Sequence, residues 1–361
     1  MLPYLETLRL VDHHCHGVVR RDLDRPGLES LLSEADRTDF DSQIGFAVRR
    51  WCAPVLDLPP HTTPDEYVLR RVELGATEVT RRFLAAAGLA ALCVDTGYTP
   101  EPLLSPAELA VAADADAREV VRLESVAERI AGSGGTAEGF ADAVRRELAA
   151  GGVAAKTIAA YRVGLDLSGD RPTDAEVTAA AGRLQRDASP RVRDPILHRF
   201  LIWAAIDQGL PVQIHVGYGD RDVDLHRCNP LLLTGLLRAL EPTGVPILLL
   251  HNYPYHREAG YLAQVFRTVF IDVGLATHNL GQRSAALVAE ALELTPFGKL
   301  LYASDAYGLA EHYYLGALLF RRALSEFLSA GLADGAWTDT DAARIAELIG
   351  AGNARRVYGL P

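Results

Sequence analysis

The amino-acid sequence predicts an α/β protein with a (β/α)8, or TIM barrel, fold and a mostly helical cap insertion after strand 1. Three observations favour this fold class. Short apolar runs alternate with helical patterns, several of these runs end in histidine or aspartate, and 361 residues suffice for one large barrel with an insertion. In a parallel barrel all strand C-termini lie at one end, where active sites are found. We therefore expect residues 1–361 to form a single domain.

The first predicted strand is the apolar run of residues 8–11, which leads directly into three histidines. Because successive side chains of a strand point to opposite faces, His14 and His16 share a face. Two imidazoles on one face at a strand end can hold a metal ion between them. The alternative is a pair of surface histidines near a strand end.

Later apolar runs bring further metal-binding residue types to predicted strand ends. The six candidate metal ligands are His14, His16, Lys156, His215, His251 and Asp305. They come from five strands and would converge only in a barrel. Imidazole and carboxylate suit zinc, and also manganese, iron and nickel. The alternative for the later histidines and the aspartate is a place in the core or at the rim.

Lys156 is an unusual candidate, because a lysine ammonium is charged at neutral pH and is a poor ligand. A buried amine beside metal ions can lose its proton. It can then take up carbon dioxide to form a carbamate, whose two oxygens can bridge two metals. The alternative is an electrostatic partner for a nearby carboxylate, so the sequence leaves one or two Zn²⁺ ions open.

The cap insertion is predicted at about residues 18–89, with helical patterning over residues 28–35 and 64–87. A βα loop of this length usually has a function. The cap segment that most suggests a binding role contains Arg49, Arg50 and Trp51, which can hold a substrate carboxylate and cover it. The alternative is a helix end with a solvated arginine pair and a core tryptophan.

Beyond the cap, strands and helices alternate to the end of the chain. The predicted strands are residues 89–97, 120–126, 153–160, 212–216, 247–251, 269–273 and 300–303. The predicted helices are residues 106–117, 136–150, 174–186, 194–209, 230–240, 259–266, 311–330 and 340–349. With the first strand this makes eight strands, as a closed barrel requires.

Composition excludes several classes of protein. The formal net charge of −11 argues against a nucleic-acid surface, which needs a basic patch. No apolar run reaches the roughly 18 residues of a membrane span, and no signal-peptide pattern opens the chain. Four cysteines without paired spacing favour a reduced, cytoplasmic protein. We expect a small-molecule substrate and a homo-oligomer such as a dimer.

The order of the candidate ligands resembles that of the amidohydrolase superfamily, over nearly the whole chain. The segments that carry the resemblance are residues 156–162, 253–261, 304–306 and 352–359. They are similar to the branch known as amidohydrolase 2, and in particular to the amidohydrolase domain fused to glutamine-synthetase-like domains in fungi and plants. The resemblance implies a metal-dependent barrel enzyme.

The implied reaction is hydrolysis of an amide C–N bond in a carboxylate-bearing small molecule, for which the resemblance suggests a γ-glutamyl amide. A metal lowers the pKa of water and polarises the carbonyl, while Asp305 carries the proton to the leaving amine. Arginine guanidinium groups can anchor the substrate carboxylate. The predicted substrate-binding residues are Arg49, Arg50, Trp51, Tyr161, Arg162, His256 and Arg257.

Two other functions stay open from the sequence. A metal-dependent non-oxidative decarboxylase is the first, since the same branch contains such enzymes by resemblance. It would release carbon dioxide rather than an amine. A non-catalytic barrel acting as a binding module is the second, and missing ligands would favour it, whereas all six positions are filled.

Overall fold

The computed structural model describes all 361 residues and confirms the α/β barrel fold. Seven parallel strands form one sheet in sequence order, so each strand pairs with the next along the chain. The strands are β1 (Leu10–Cys15), β2 (Leu89–Asp95), β3 (Asp116–Arg122), β4 (Ala154–Thr157), β5 (Val212–Val216), β6 (Ile247–His251) and β7 (Val269–Ile271). This order places all strand C-termini at one end of the sheet.

The predicted eighth strand, residues 300–303, closes the barrel without forming a regular strand. A parallel bridge joins Leu300 to Ile271 of β7, and the Leu301 N–H donates to the Ile271 carbonyl at 2.9 Å. On the other side the His13 N–H donates to the Tyr302 carbonyl at 3.1 Å. The segment therefore connects β7 to β1 and completes the ring.

Eighteen α-helices surround the strands. They are α1 (Pro3–Thr7), α2 (Arg25–Glu29), α3 (Gln43–Ala47), α4 (Pro64–Leu74), α5 (Ala76–Ala87), α6 (Pro106–Ala113), α7 (Leu123–Gly132), α8 (Ala137–Ala149), α9 (Ala159–Arg162), α10 (Asp174–Gln185), α11 (Pro195–Asp207), α12 (Thr234–Leu240), α13 (His256–Val265), α14 (Ala276–Asn279), α15 (Ser284–Ala291), α16 (Ala310–Asp334), α17 (Asp339–Glu347) and α18 (Asn353–Tyr358). No helix combines the length and apolar character needed to cross a membrane.

The third strand differs from its prediction of residues 120–126. It begins at Asp116, because α6 ends at Asp114 in the left-handed conformation, with φ 48°. The strand ends at Arg122, and residues 123–132 form α7. The shift matters for the site, since it brings Arg122 to the C-terminal end of a strand, where functional side chains collect.

The segment between β1 and β2 contains helices α2 to α5, as the predicted helical cap requires. The Thr63 hydroxyl caps α4 by accepting from the Glu66 N–H, and the Glu66 carboxylate accepts from the Thr63 N–H. Both bonds satisfy backbone donors at the helix start. Gly75, with φ 78°, separates α4 from α5, so the predicted continuous pattern of residues 64–87 becomes two helices. Residues 30–36 pass over the barrel mouth and line its cavity.

A second, smaller core lies at the other end of the barrel from the mouth. Val11, Val120 and Leu248 of three strands pack there with Ala354 and Tyr358 of α18. All six residues of β1 are buried, including its polar ones. A buried apolar core therefore supports the strands below their polar C-terminal ends.

Candidate metal centre and its cavity

Three of the six predicted ligands form a compact cluster at the barrel mouth. His14, His16 and Asp305 each offer a ligand atom, and these atoms lie within 4.8 Å of one another. Asp305 Oδ1 is 3.1 Å from His14 Nε2 and 3.4 Å from His16 Nε2. The β1 ladder shifts register between Asp12 and Cys15, which accompanies the turn of the strand into the site.

The hydrogen bonds around His14 fix its tautomer. Gln213 donates from Nε2 to the His13 carbonyl at 2.8 Å, so its Oε1 is the atom that faces His14 Nδ1, at 2.8 Å. Because an amide oxygen only accepts, His14 Nδ1 carries the proton and its Nε2 presents a lone pair. Burial, followed by the charge of Lys156, lowers the pKa of His14 to about 4, which keeps the ring neutral.

His16 is oriented in the same way. Its Nδ1 donates to the Asp95 backbone carbonyl at 3.2 Å, which leaves the Nε2 lone pair facing Asp305. Two lone-pair nitrogens and a carboxylate oxygen therefore point at one another with no proton between them. That arrangement is repulsive without a cation and fits a divalent metal ion.

His251 and His215 extend the cluster. His251 Nδ1 is 3.3 Å from Asp305 Oδ2, and the two imidazole centroids are 4.6 Å apart. His251 Nδ1 and His215 Nε2 are both buried without a hydrogen-bond partner. Burial lowers the pKa of His215 to about 3 and that of His251 well below its ordinary value. Neutral rings with free nitrogens are the ligand form of histidine.

Asp305 stands at the centre of the cluster. Its backbone has φ 51° and that of His251 has φ 68°, both in the left-handed region that is uncommon for these residues. Such conformations at strand ends indicate a functional turn that the surrounding structure holds.

Lys156 lies inside the cluster. Its Nζ is 3.1 Å from His14 Nε2 and 3.7 Å from Asp95 Oδ2. Arg122 donates to the same Asp95 oxygen at 2.7 and 3.0 Å. Burial lowers the pKa of Lys156, while Asp95 acts in the opposite direction. The position of Lys156 is compatible either with an ion pair to Asp95 or with a carbamate that binds metal.

A cavity of about 670 Å³ opens above the cluster, and the predicted substrate-binding residues Tyr161 and Arg162 line it. The Tyr161 ring packs against His215 with centroids 4.6 Å apart. The Arg162 side chain is only 10% exposed, and its Nε and Nη1 have no hydrogen-bond partner. Its Nη2 lies 3.5 Å from Glu128.

The predicted role of the cap arginines needs correction, since Arg49, Arg50 and Trp51 do not line the cavity. Arg49 donates to the carbonyls of residues 61 and 62 and so ties the cap together. Arg50 stacks on the Trp51 ring at 4.3 Å, and Arg322 of α16 lies near the same ring at 4.8 Å. Arg50 is exposed, whereas Arg49 and Trp51 are partly buried, so the segment is not the solvated arginine pair with a core tryptophan of the alternative.

His256 and Arg257 also lie outside the cavity lining, contrary to their predicted role. His256 Nε2 is 2.8 Å from Glu290, and Arg257 is exposed and pairs with Glu293 at 2.8 Å. Both belong to α13, whose first turn faces α15 rather than the mouth. Both side chains are therefore already paired with carboxylates.

The structure adds residues that the sequence analysis did not identify. Gln213 and Asp95 orient the two β1 histidines, and Glu34, His278 and His312 line the cavity. Burial, with the charges of Asp305 and Asp220, raises the pKa of Glu34 to about 8. The signal that could have found Asp95 was its place at the end of a predicted strand, the same signal that found His215.

The closed parallel barrel and its His–His–carboxylate centre at the strand C-termini define a metal-dependent barrel enzyme. The family model for Amidohydrolase matches residues 104–360, well over half of the chain. The chain belongs to this family, which confirms the resemblance to the amidohydrolase 2 branch.

Two further comparisons support the assignment. Protein fluG of Emericella nidulans is 32% identical over 219 residues, which are 57% of this chain and 25% of that relative, so the chain spans about a quarter of its length. A crystal structure from Lactobacillus casei ATCC 334, named as that of a metal-dependent hydrolase, superposes with a TM-score of 0.86 at 28% identity. That superposition covers 99% of this chain and 96% of the other.

A uronate isomerase from Bacillus halodurans C-125 shares the fold, with a TM-score of 0.66 at 14% identity. The superposition covers 99% of this chain and 95% of the isomerase. At this identity the likeness concerns the fold alone.

Proposed function

We propose that the protein is a metal-dependent hydrolase that cleaves the amide C–N bond of a carboxylate-bearing small molecule, with γ-glutamyl amides as the substrate class. The observation that carries the proposal is the convergence of lone-pair nitrogens from His14 and His16 on the Asp305 carboxylate. This donor set suits zinc, and also manganese, iron and nickel. Membership of the amidohydrolase family supports the same chemistry.

His14, His16, His251 and Asp305 would hold one ion, and His215 with Lys156 would complete a second position. A bound ion supplies Lewis acidity, which polarises the amide carbonyl and lowers the pKa of water towards neutrality. Two ions need a bridging ligand, and a carbamate on Lys156 is the proposed bridge. An unmodified Lys156 paired with Asp95 corresponds to a one-metal enzyme.

Asp305 is the proposed proton carrier. Its Oδ1 accepts no hydrogen bond, although it lies within 3.4 Å of two imidazole nitrogens. A carboxylate at this position can accept a proton from the attacking water and deliver it to the leaving nitrogen. Gln213 and the Asp95 carbonyl accept from the Nδ1 atoms of His14 and His16, so each ring presents its Nε2 to the site.

Arg162 is the proposed anchor for the substrate carboxylate. Four cationic side chains line the cavity, and each lies within 4 Å of a carboxylate, which for Arg162 is that of Glu128. Arg162 keeps two buried N–H groups without a partner. These two groups lie on different edges of the guanidinium, so a substrate carboxylate would accept a charge-assisted hydrogen bond from one of them.

The experiment is a screen of γ-glutamyl amides with the purified, metal-analysed protein. We expect release of ammonia or an amine, loss of activity on chelation, and recovery when Zn²⁺ or Mn²⁺ is returned. The same reactions are assayed for carbon dioxide. Release of carbon dioxide without an amine would assign a decarboxylase instead, and full activity in a demonstrably metal-free sample would overturn the proposal.

A further inference from the structure

Two histidines outside the metal cluster stand side by side on the cavity wall. His278 of α14 and His312 of α16 are stacked, with ring centroids 4.6 Å apart and an interplanar angle of 13°. Their relative exposures are 1% and 4%, yet both line the cavity. The cluster of ligands already described does not use either ring.

The pair has unused hydrogen-bonding capacity. His278 Nδ1 and His312 Nε2 are buried and have no partner in the protein. Leaving a buried polar atom unpaired costs free energy, so such atoms in a native structure call for an explanation. A bound molecule in the cavity would satisfy both nitrogens.

The backbone that carries His278 is built in an uncommon conformation. Leu275, buried and not a glycine, has φ 56°, and its N–H donates to the Ser304 carbonyl at 3.0 Å. The Gly274 N–H donates to Asp272 at 2.7 Å, and the Thr277 hydroxyl donates to the Val273 carbonyl at 2.6 Å. Strain of this kind persists where the surroundings hold it and often marks a binding site.

The position of the pair complements that of Arg162. His278 follows β7 and His312 follows the closing segment, whereas Arg162 follows β4. In a barrel with strands in sequence order, these positions lie on opposite sides of the mouth. A molecule whose carboxylate meets Arg162 would therefore extend towards the two histidines.

We propose that His278 and His312 form a subsite for a hydroxyl group of the substrate, which narrows the substrate class to carboxylate-bearing amides that also carry a hydroxyl. The proposal rests on the proposed function only for the carboxylate end. A hydroxyl both donates and accepts, so it pairs with an imidazole nitrogen in either tautomer, whereas a carboxylate only accepts.

Two observations disfavour an anionic group at this subsite. Burial lowers the pKa of His312 to about 4 and that of His278 well below its ordinary value, so the rings offer no positive charge. Burial and the charges of Asp305 and Asp220 raise the pKa of Glu34, which lines the same cavity, to about 8, so the cavity already disfavours negative charge. A neutral, two-way hydrogen-bonding group fits the pair better than a second carboxylate.

The test compares gluconate with hexanoate as inert ligands of the metal-loaded protein, using titration calorimetry. Both carry one carboxylate and six carbons, and gluconate presents hydroxyls at every distance from it. His278→Phe and His312→Phe keep a ring in the stack but remove the nitrogens. His278→Asn and His312→Gln keep a polar atom near the positions of Nδ1 and Nε2, and the exposed His226→Phe is the matched control.

We expect wild type and His226→Phe to prefer gluconate, and each cavity Phe variant to lose about tenfold of that preference, as one neutral hydrogen bond would contribute. Hexanoate affinity and metal content should stay unchanged, and the Asn and Gln variants should retain most of the preference. An equal preference in the Phe variants, or none in wild type, would overturn the proposal. Absence of amide hydrolysis with the preference intact would overturn the proposed function alone.

Discussion

The Oε1 atom of Gln213 lies 2.8 Å from Nδ1 of His14, so a side chain of the fifth strand sets the tautomer of a candidate ligand on the first strand. The Gln213 amide cannot flip without losing two hydrogen bonds, because its Nε2 donates to the His13 carbonyl at 2.8 Å and to the Tyr358 hydroxyl at 2.9 Å. The orientation of His14 therefore depends on a hydrogen-bond chain that reaches α18 at the base of the barrel.

We predict that Gln213→Leu weakens metal binding about 10- to 100-fold, the usual effect of removing the partner of a metal-bound histidine. The substitution removes the acceptor that holds the His14 proton on Nδ1. Metal affinity is measured by competition with a chromophoric chelator. Gln208→Leu, at an exposed position, is the control and should bind metal like wild type. Unchanged affinity in Gln213→Leu would show that His14 needs no such support.

Asp305 and His14 should respond differently to substitution. His14→Ala, or His215→Ala, should lower bound metal, because each removes a ligand atom. Asp305→Asn should keep at least one ion while turnover falls about 10²- to 10⁴-fold, because the amide cannot carry the proton. Metal content by mass spectrometry and initial rates separate the two outcomes. Near-normal turnover of Asp305→Asn would exclude it from proton transfer.

The sequence predicted the barrel and the convergence of six side chains because both follow from local signals. An apolar run that ends in histidine or aspartate is visible without tertiary information, as at His215 and Asp305. Since parallel strands in a barrel end on one face, listing those ends already approximates the site. The closing segment, residues 300–303, shows the limit of this approach. Its bridge to Ile271 depends on the tertiary fold and is not visible in the local sequence.

The misplaced residues lack such a signal. Arg257 stands in a segment that resembles the family, but its direction depends on how α13 packs, and there it meets Glu293. His278 and His312 follow the barrel strands by several residues, and only the fold brings their rings together. A motif therefore indicated the neighbourhood of the site, while helix packing decided which side chains reach the cavity.

For Lys156 we predict a carbamate that bridges two ions. Intact-mass measurement under native conditions should show the added carbon dioxide, and metal content should approach two ions per chain. Lys156→Ala should lose metal, with partial recovery on addition of a short carboxylic acid that can occupy the bridge. One ion per chain with an unmodified lysine would instead establish the ion pair with Asp95, 3.7 Å away, and a one-metal enzyme.

Arg162→Gln should raise KM roughly 10- to 150-fold for a carboxylate-bearing substrate, because a charge-assisted hydrogen bond contributes about 1.5–3 kcal/mol. Replacing the substrate carboxylate with a neutral amide should cost wild type a similar factor and cost the variant little. Arg257→Gln is the matched control, since that arginine is exposed and outside the cavity. Equal hydrolysis of neutral and charged substrates by wild type would make Arg162 structural.

Acid should destabilise the folded protein partly through His312. Burial lowers its folded-state pKa to about 4 from an ordinary value of 6.5, although nearby Glu311 acts in the opposite direction. Between these two pH values the unfolded chain binds the proton and the folded chain does not. The contribution of the neutral His312 ring to the free energy of unfolding is therefore complete above pH 6.5 and is lost as pH falls towards 4. The loss is on the order of 3 kcal/mol. Urea midpoints of wild type and His312→Phe, compared from pH 7.5 to pH ~4, should converge or cross as pH falls. A constant difference would mean that His312 is protonated equally in both states.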